Sequence, residues 1–123
     1  MNEKEAFALF KSECEKWVDI LGLNDVKIDY LVADDMDEET ETMETFSEIS
    51  YTFSDSRAYF MISSDHDPDE DEIKDTSLHE CLELMLLPMK CLASSIGDLS
   101  SEIIQRETHA VIHRLTKILT GEK

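Results

Sequence analysis

The chain is poor in positive charge, in long apolar runs and in the glycine-rich or cysteine-paired motifs that mark many functions. Eleven Lys and Arg stand against 29 Asp and Glu, a formal net charge of −18 on 123 residues. Such an excess disfavours direct contact with nucleic-acid phosphates or an anionic membrane, and favours a basic protein or peptide segment as partner. No apolar run approaches the ~20 residues of a membrane-spanning helix, and the N-terminal stretch is acidic and amphipathic, unlike a signal peptide. Cys14, Cys81 and Cys91 are an odd number and form no C-x-x-C pair. Reduced thiols in a cytoplasm are the plain expectation, with Cys81 and Cys91 packed as small hydrophobes. A Gly-rich phosphate loop, a nucleophile elbow and a basic patch are all missing, so nucleotide chemistry and nucleic-acid readout find no support.

What is present is enough for one folded domain over 1–123: 41% of the residues are hydrophobic despite the charge. The acids are gathered rather than spread. Residues 34–48 hold eight and residues 65–75 hold seven, fifteen of the 29, and these stretches read as solvated loops at about 34–45 and 64–75. Asp65, Asp67 and Asp69 alternate as at the start of a calcium loop. The sixth-place Gly and twelfth-place Glu that such a loop requires are absent, which excludes it.

Hydrophobic spacing gives the elements. Phe7, Phe10, Cys14, Trp17 and Leu21 follow three-four spacing over 2–21, a helix ended by Gly22. Val26, Ile28, Tyr30 and Val32 alternate as a half-buried strand, and Ile49, Tyr51 and Phe53 do the same near 46–54. Ser54 to Arg57 makes a hairpin turn into a third strand at 57–63, with Ala58, Phe60 and Ile62 inward. Asp67 as N-cap and Pro68 at the first helical position open a second helix. Its stripe is Leu78, Leu82, Met85 and Met89, and Pro88 should kink or end it. A last helix spans about 100–120 after a break at 94–100, with Ile103, Ile104, Val111, Ile112, Leu115, Ile118 and Leu119 on one broad arc. The class is α+β: an N-terminal helix, a small, mainly antiparallel three-stranded sheet, and two further helices.

The chemistry-bearing stretch is Leu78-His79-Glu80-Cys81-Leu82-Glu83. His79 and Glu83 are four apart and share a helix face, while Glu80 is turned about 100° from His79. In an H-E-x-x-H helix the two i, i+4 residues hold zinc and the Glu works on its water. Here the second position is a carboxylate, which can also ligate zinc but lowers the charge at the metal. On the last helix, Glu107 falls inside the apolar arc and so needs a partner. His109 and His113 have ligand spacing on its polar side.

The order helix, three strands, H-E helix, final helix resembles the minimal zincin-like domains, small metallopeptidase-type proteins common in phages and mobile elements. The likeness covers nearly the whole chain in layout. In detail it rests on the strand Ala58–Ile62, on His79 to Leu84, and on Glu107 to Leu115. The resemblance implies a zinc site of His79 and Glu83 plus one group from the last helix, with Glu80 as general base in peptide-bond hydrolysis. His109 matches the position associated with this looser H-E-x-x-E pattern and is taken as the third ligand, since His/His/Glu suits zinc better than His/Glu/Glu, although the helical projection favours Glu107. The rival expectation is a non-catalytic acidic binding or inhibitor protein on the same fold, engaging a basic host or replication protein.

Overall fold

The computed structural model describes residues 2–32, 47–52, 56–62, 68–96 and 100–121. In chain order its elements are α1 (Glu3–Leu21), β1 (Lys27–Val32), β2 (Ser47–Thr52), β3 (Arg57–Ile62), α2 (Glu70–Ile96) and α3 (Ser101–Thr120), the α+β layout the spacing predicts. The chain divides into two compact units, Met1–Cys81 and Leu82–Lys123, and the division falls inside α2.

In the first unit, Asn2 caps α1 by accepting from the Glu5 amide at 2.8 Å. Gly22 ends the helix at φ 73°, so that the Gly22 amide reaches Asp19 and the Leu23 amide reaches Val18. The buried stripe is Ala6, Phe10, Cys14, Trp17 and Val18. Phe7 and Leu21 are half-buried at its edges.

The strands are ordered β1-β3-β2. β2 and β3 pair antiparallel, as a hairpin must, but β1 joins β3 parallel. The sheet is therefore mixed, with one pairing of each kind, rather than mainly antiparallel. Position in the sheet explains the burial. The edge strand β1 alternates exposed and half-buried residues, whereas central β3 buries Phe60, Met61 and Ile62 in succession. Phe10, Tyr30 and Phe60 bring α1, β1 and β3 together. Tyr30 meets Phe60 edge-on at 5.7 Å and Phe10 at 6.5 Å. Burial raises the Tyr30 hydroxyl's pKa, a direction that keeps it protonated.

The acidic segment splits. The stretch at 34–45 lies outside the described residues, as do Asp67 and half of the 54–57 turn. α2 begins at Glu70, two residues after the Pro68 start read from the sequence, so Glu70 to Asp75, also counted within an acidic loop, are its first turns. Asp69 caps that helix, accepting from the Glu72 amide at 2.8 Å. Acids in a first helical turn are stabilised by the N-terminal partial charge, which is why so acidic a run folds as helix. The first half of α2 buries Ile73, Ser77, Leu78 and Cys81. Its small residues reach the backbone of α1: the Cys81 thiol lies 3.6 Å from the Cys14 carbonyl, and the Ser77 hydroxyl lies 3.5 Å from that of Phe10. Ser77 has one proton, and the 2.7 Å bond to Ile73 within its own helix takes it.

In the second unit α2 continues through Pro88 to Ile96. Proline removes one backbone bond, to the carbonyl of Leu84, at a cost of about 3 kcal/mol, and here it does not end the helix. Met85 is half-buried and Met89 is 73% exposed, so the expected stripe stays fully inside only as far as Leu82; Leu84, outside that stripe, is buried as well. Ser100 caps α3 through the Ile103 amide, and Gly121 closes it at φ 76°. Cys91, expected inside, is exposed. Among the described residues no helix is long and apolar enough to cross a membrane.

Two outcomes follow from this packing. Phe60→Ala should cost about 3–5 kcal/mol in urea unfolding, whereas Ile20→Ala, at a side chain 57% exposed, should stay within about 0.5 kcal/mol. In the native protein a thiol reagent should label Cys91 quickly. Cys14 and Cys81 should react only as their surroundings open, since burial, and then the Cys81 neighbour, push the Cys14 thiol far above its usual range. More than one fast thiol would contradict that packing.

Candidate metal centre

The unbroken register of α2 sets the first two groups. His79 is one turn ahead of Glu83 on the same continuous helix, so their side chains stack whatever else the chain does. Both are half-buried, which keeps them oriented without sealing them off. The third group comes from α3, where His109 is also half-buried. His79, Glu83 and His109 each offer a ligand atom, and these atoms lie within 4.8 Å of one another.

That donor set can be tested against zinc. Bonds of about 2.05 Å in tetrahedral geometry put ligand atoms roughly 3.3 Å apart. The three groups are thus close enough to converge by side-chain rotation, with at most a further ~1.5 Å to draw in. Two imidazoles and one carboxylate are a known type of catalytic zinc set that leaves a fourth position open. The residues fit the metal.

The other candidates are placed elsewhere. Glu107 is exposed, its side chain 65% accessible, with Arg106 at 3.5 Å; His113 is exposed too. The projection that put Glu107 inside was drawn over too wide an arc. Ile104 and Ile112 are buried, whereas Ile103 (41%), Val111 (37%) and Ile118 (74%) are exposed. Only about half of that arc packs inward, and Glu107 lies in the other half.

Comparison of the chain with protein-family models, curated proteins and solved structures finds no match. The case for a function therefore rests on the site itself.

Glu80 is buried, 6% exposed, and its Oε1 accepts from the Ser47 hydroxyl at 2.8 Å. Ser47 opens β2 and is itself buried. The bond fixes one carboxylate oxygen against the sheet and so sets the plane of the group beside the first ligand. Sequence reasoning missed Ser47, although its parity with Ile49 and Tyr51 gave the signal: it belongs to the inward face of the strand. His109 has a neighbour of its own kind of role. The Gln105 amide nitrogen lies 3.4 Å from its Nε2. Which of the two donates depends on the imidazole tautomer: with the amide nitrogen facing the ring, Nε2 must be the unprotonated one. A metal at Nε2 would displace Gln105, whereas one at Nδ1 would put the ring proton on Nε2, which Gln105 could then meet only by turning its amide oxygen toward it.

Ser47→Ala removes a donor from a buried carboxylate and should lower stability by about 1–2 kcal/mol in urea unfolding. A loss below about 0.3 kcal/mol would mean that the bond does not hold Glu80.

Proposed function

We propose that this chain is a zinc-dependent metallopeptidase domain of minimal zincin-like type, with His79, Glu83 and His109 holding the metal and Glu80 as general base. The observation that carries the reading is the convergence of two imidazoles and a carboxylate from two successive helices, with a second carboxylate one residue from the first ligand. Zinc held there would supply Lewis-acid activation of water and of the scissile carbonyl. Glu80 takes a proton from the attacking water as its oxygen adds to the carbonyl carbon, and returns it to the amine nitrogen as the C–N bond breaks. The Ser47 hydroxyl, donating to one oxygen of that carboxylate, holds the group in place beside the first ligand. The acids of the first unit favour a basic peptide segment as substrate or partner. Nucleic acid and membrane are not part of this reading, and three free cysteines support a reducing, cytoplasmic setting.

A second reading, an acidic binding or inhibitor protein on the same fold, is favoured by one observation. Glu80 is only 6% exposed and is tied to β2, as a purely structural carboxylate would be. On that reading the basic partner is held and not cut, and affinity falls steeply with salt.

Protein prepared without a histidine tag or chelator should hold about one zinc per chain, and adding zinc should raise its melting temperature. His79→Ala and His109→Ala should each lose the metal. Glu80→Gln should keep it and lose peptide cleavage by a factor of about 100 or more. No bound metal together with no thermal shift would sink the enzyme. Zinc bound with no cleavage, and a partner captured equally well by Glu80→Gln, would select the binding protein.

A further inference from the structure

Helix α3 has an exposed face that the metal centre does not use. At 100° per residue, Ile103, Glu107, Val111, Arg114 and Ile118 fall within an arc of about 80°. The three apolar members are exposed, Ile118 by 74%, and Glu107 and Arg114 are exposed beside them. The inward residues Ile104 and Ile112 lie on a different side. Beside the N-terminal half of this stripe runs a groove of about 250 Å³, with Ile103, Glu107 and Val111 on α3 and Leu86, Met89 and Lys90 on α2 along its walls. Met89 is 73% exposed on its rim. The C-terminal half of the stripe ends in a projecting isoleucine. The helical pair therefore carries both an apolar hollow and, seven residues beyond Val111, a side chain of the kind that fills it.

The order of residues along the stripe is nearly symmetric about its centre. Turning a second α3 antiparallel about Val111 sets Ile103 against Ile118 of the second copy, Glu107 against its Arg114, and Val111 against its Val111. Each contact then occurs twice, which is the requirement for a closed two-fold interface. We propose that this face is where two copies of the chain associate, α3 against α3 antiparallel, with Ile118 of each seated in the α2–α3 groove of the other.

Charge selects this occupant over a basic peptide. Residues 82–123 contain five acids and five bases, whereas 1–81 contain 24 acids and six bases, so the whole −18 belongs to the first unit. The second unit has no net charge to attract a basic segment. What it has is one acid and one base spaced to pair with their own copies. The proposal is independent of the metal, because the groups it uses are not those of the cluster.

Sedimentation velocity on the full chain, in chelator so that zinc cannot bridge copies, reads the association directly. A concentration-dependent dimer is expected, and raising salt from about 0.05 to 0.5 M should tighten it by screening the repulsion between two acidic bodies. Glu107→Arg and Arg114→Glu should each weaken association about tenfold or more by opposing like charges, and the double variant should recover to within about threefold of the original. Ile118→Asp should abolish the dimer. All these side chains are exposed, and an unchanged circular dichroism spectrum will show that the variants fold. A monomer at every concentration up to about 100 µM, or a dimer whose charge reversals do not compensate, would overturn the proposal. A dimer that salt dissolves, or binding of a synthetic basic amphipathic peptide that Ile118→Asp abolishes in a monomeric wild type, would do the same.

Discussion

Because α2 runs without a break from Glu70 to Ile96, the residues along it are locked to one another by helical register alone, and most of what the chain can do chemically is strung on that register. Ile73, Ser77 and Cys81 return every four residues to the side that meets α1. His79 and Glu83 return every four residues to the side that holds the cluster. Glu80 falls between those two faces and ends against Ser47. A one-residue shift of α2 would rotate all three sets by about 100° and lose the close contact with α1, the ligand pair and the carboxylate's partner together. The site is thus as well defined as the packing of small residues beneath it.

That packing also explains a distribution of residue types that would otherwise look arbitrary. Cys14, Ser77 and Cys81 are small, and where they sit a thiol or hydroxyl comes within 3.5–4.0 Å of a backbone carbonyl of the opposite helix. A larger side chain at any of the three would have to push the helices apart, and the interior has little free volume to absorb the change. The aromatic trio Phe10, Tyr30 and Phe60 supplies bulk on the other side, against the sheet. Small residues toward the neighbouring helix and large ones toward the strands set how closely each element approaches.

How far the sequence could be read depends on which physical signal each element carries. α1, the strands and α3 were legible to within a residue or two from amphipathic spacing, with Gly22 as the stop of α1; the Asn2 and Ser100 caps and the Gly121 stop are seen in the structure. The start of α2 was read two residues early, from Pro68, because acids belong equally to solvated loops and to first helical turns, and the Asp69 cap sets it. The parallel partner of β1 has no local signature, because alternation fixes which face is buried and says nothing of direction. In the site, the i, i+4 pair His79 and Glu83 was plain, and so was the neighbouring Glu80. Ser47 was hidden because a serine in a strand reads as polar filler until its parity is checked. The pull of the helical projection toward Glu107, against the resemblance and zinc chemistry that point to His109, was a fault of the projection. A projection shows which residues share a side, not how much of that side is covered.

That last distinction bears on what α3 is for. Its sequence presents an apolar arc of about 180°, wider than the ~100° a single packed face requires. Ile104 and Ile112 occupy the covered half; Ile103, Val111 and Ile118 occupy the open half, where Glu107 and Arg114 are tolerated because they remain in water. His109 lies about 160° around the helix from the middle of the open stripe. Metal binding on one side and association on the other would therefore not compete for the same surface. An arc that is too wide for one contact and interrupted by one acid and one base is what a helix with two partners requires. The inner partner explains the first half of the arc, and a second copy explains the rest.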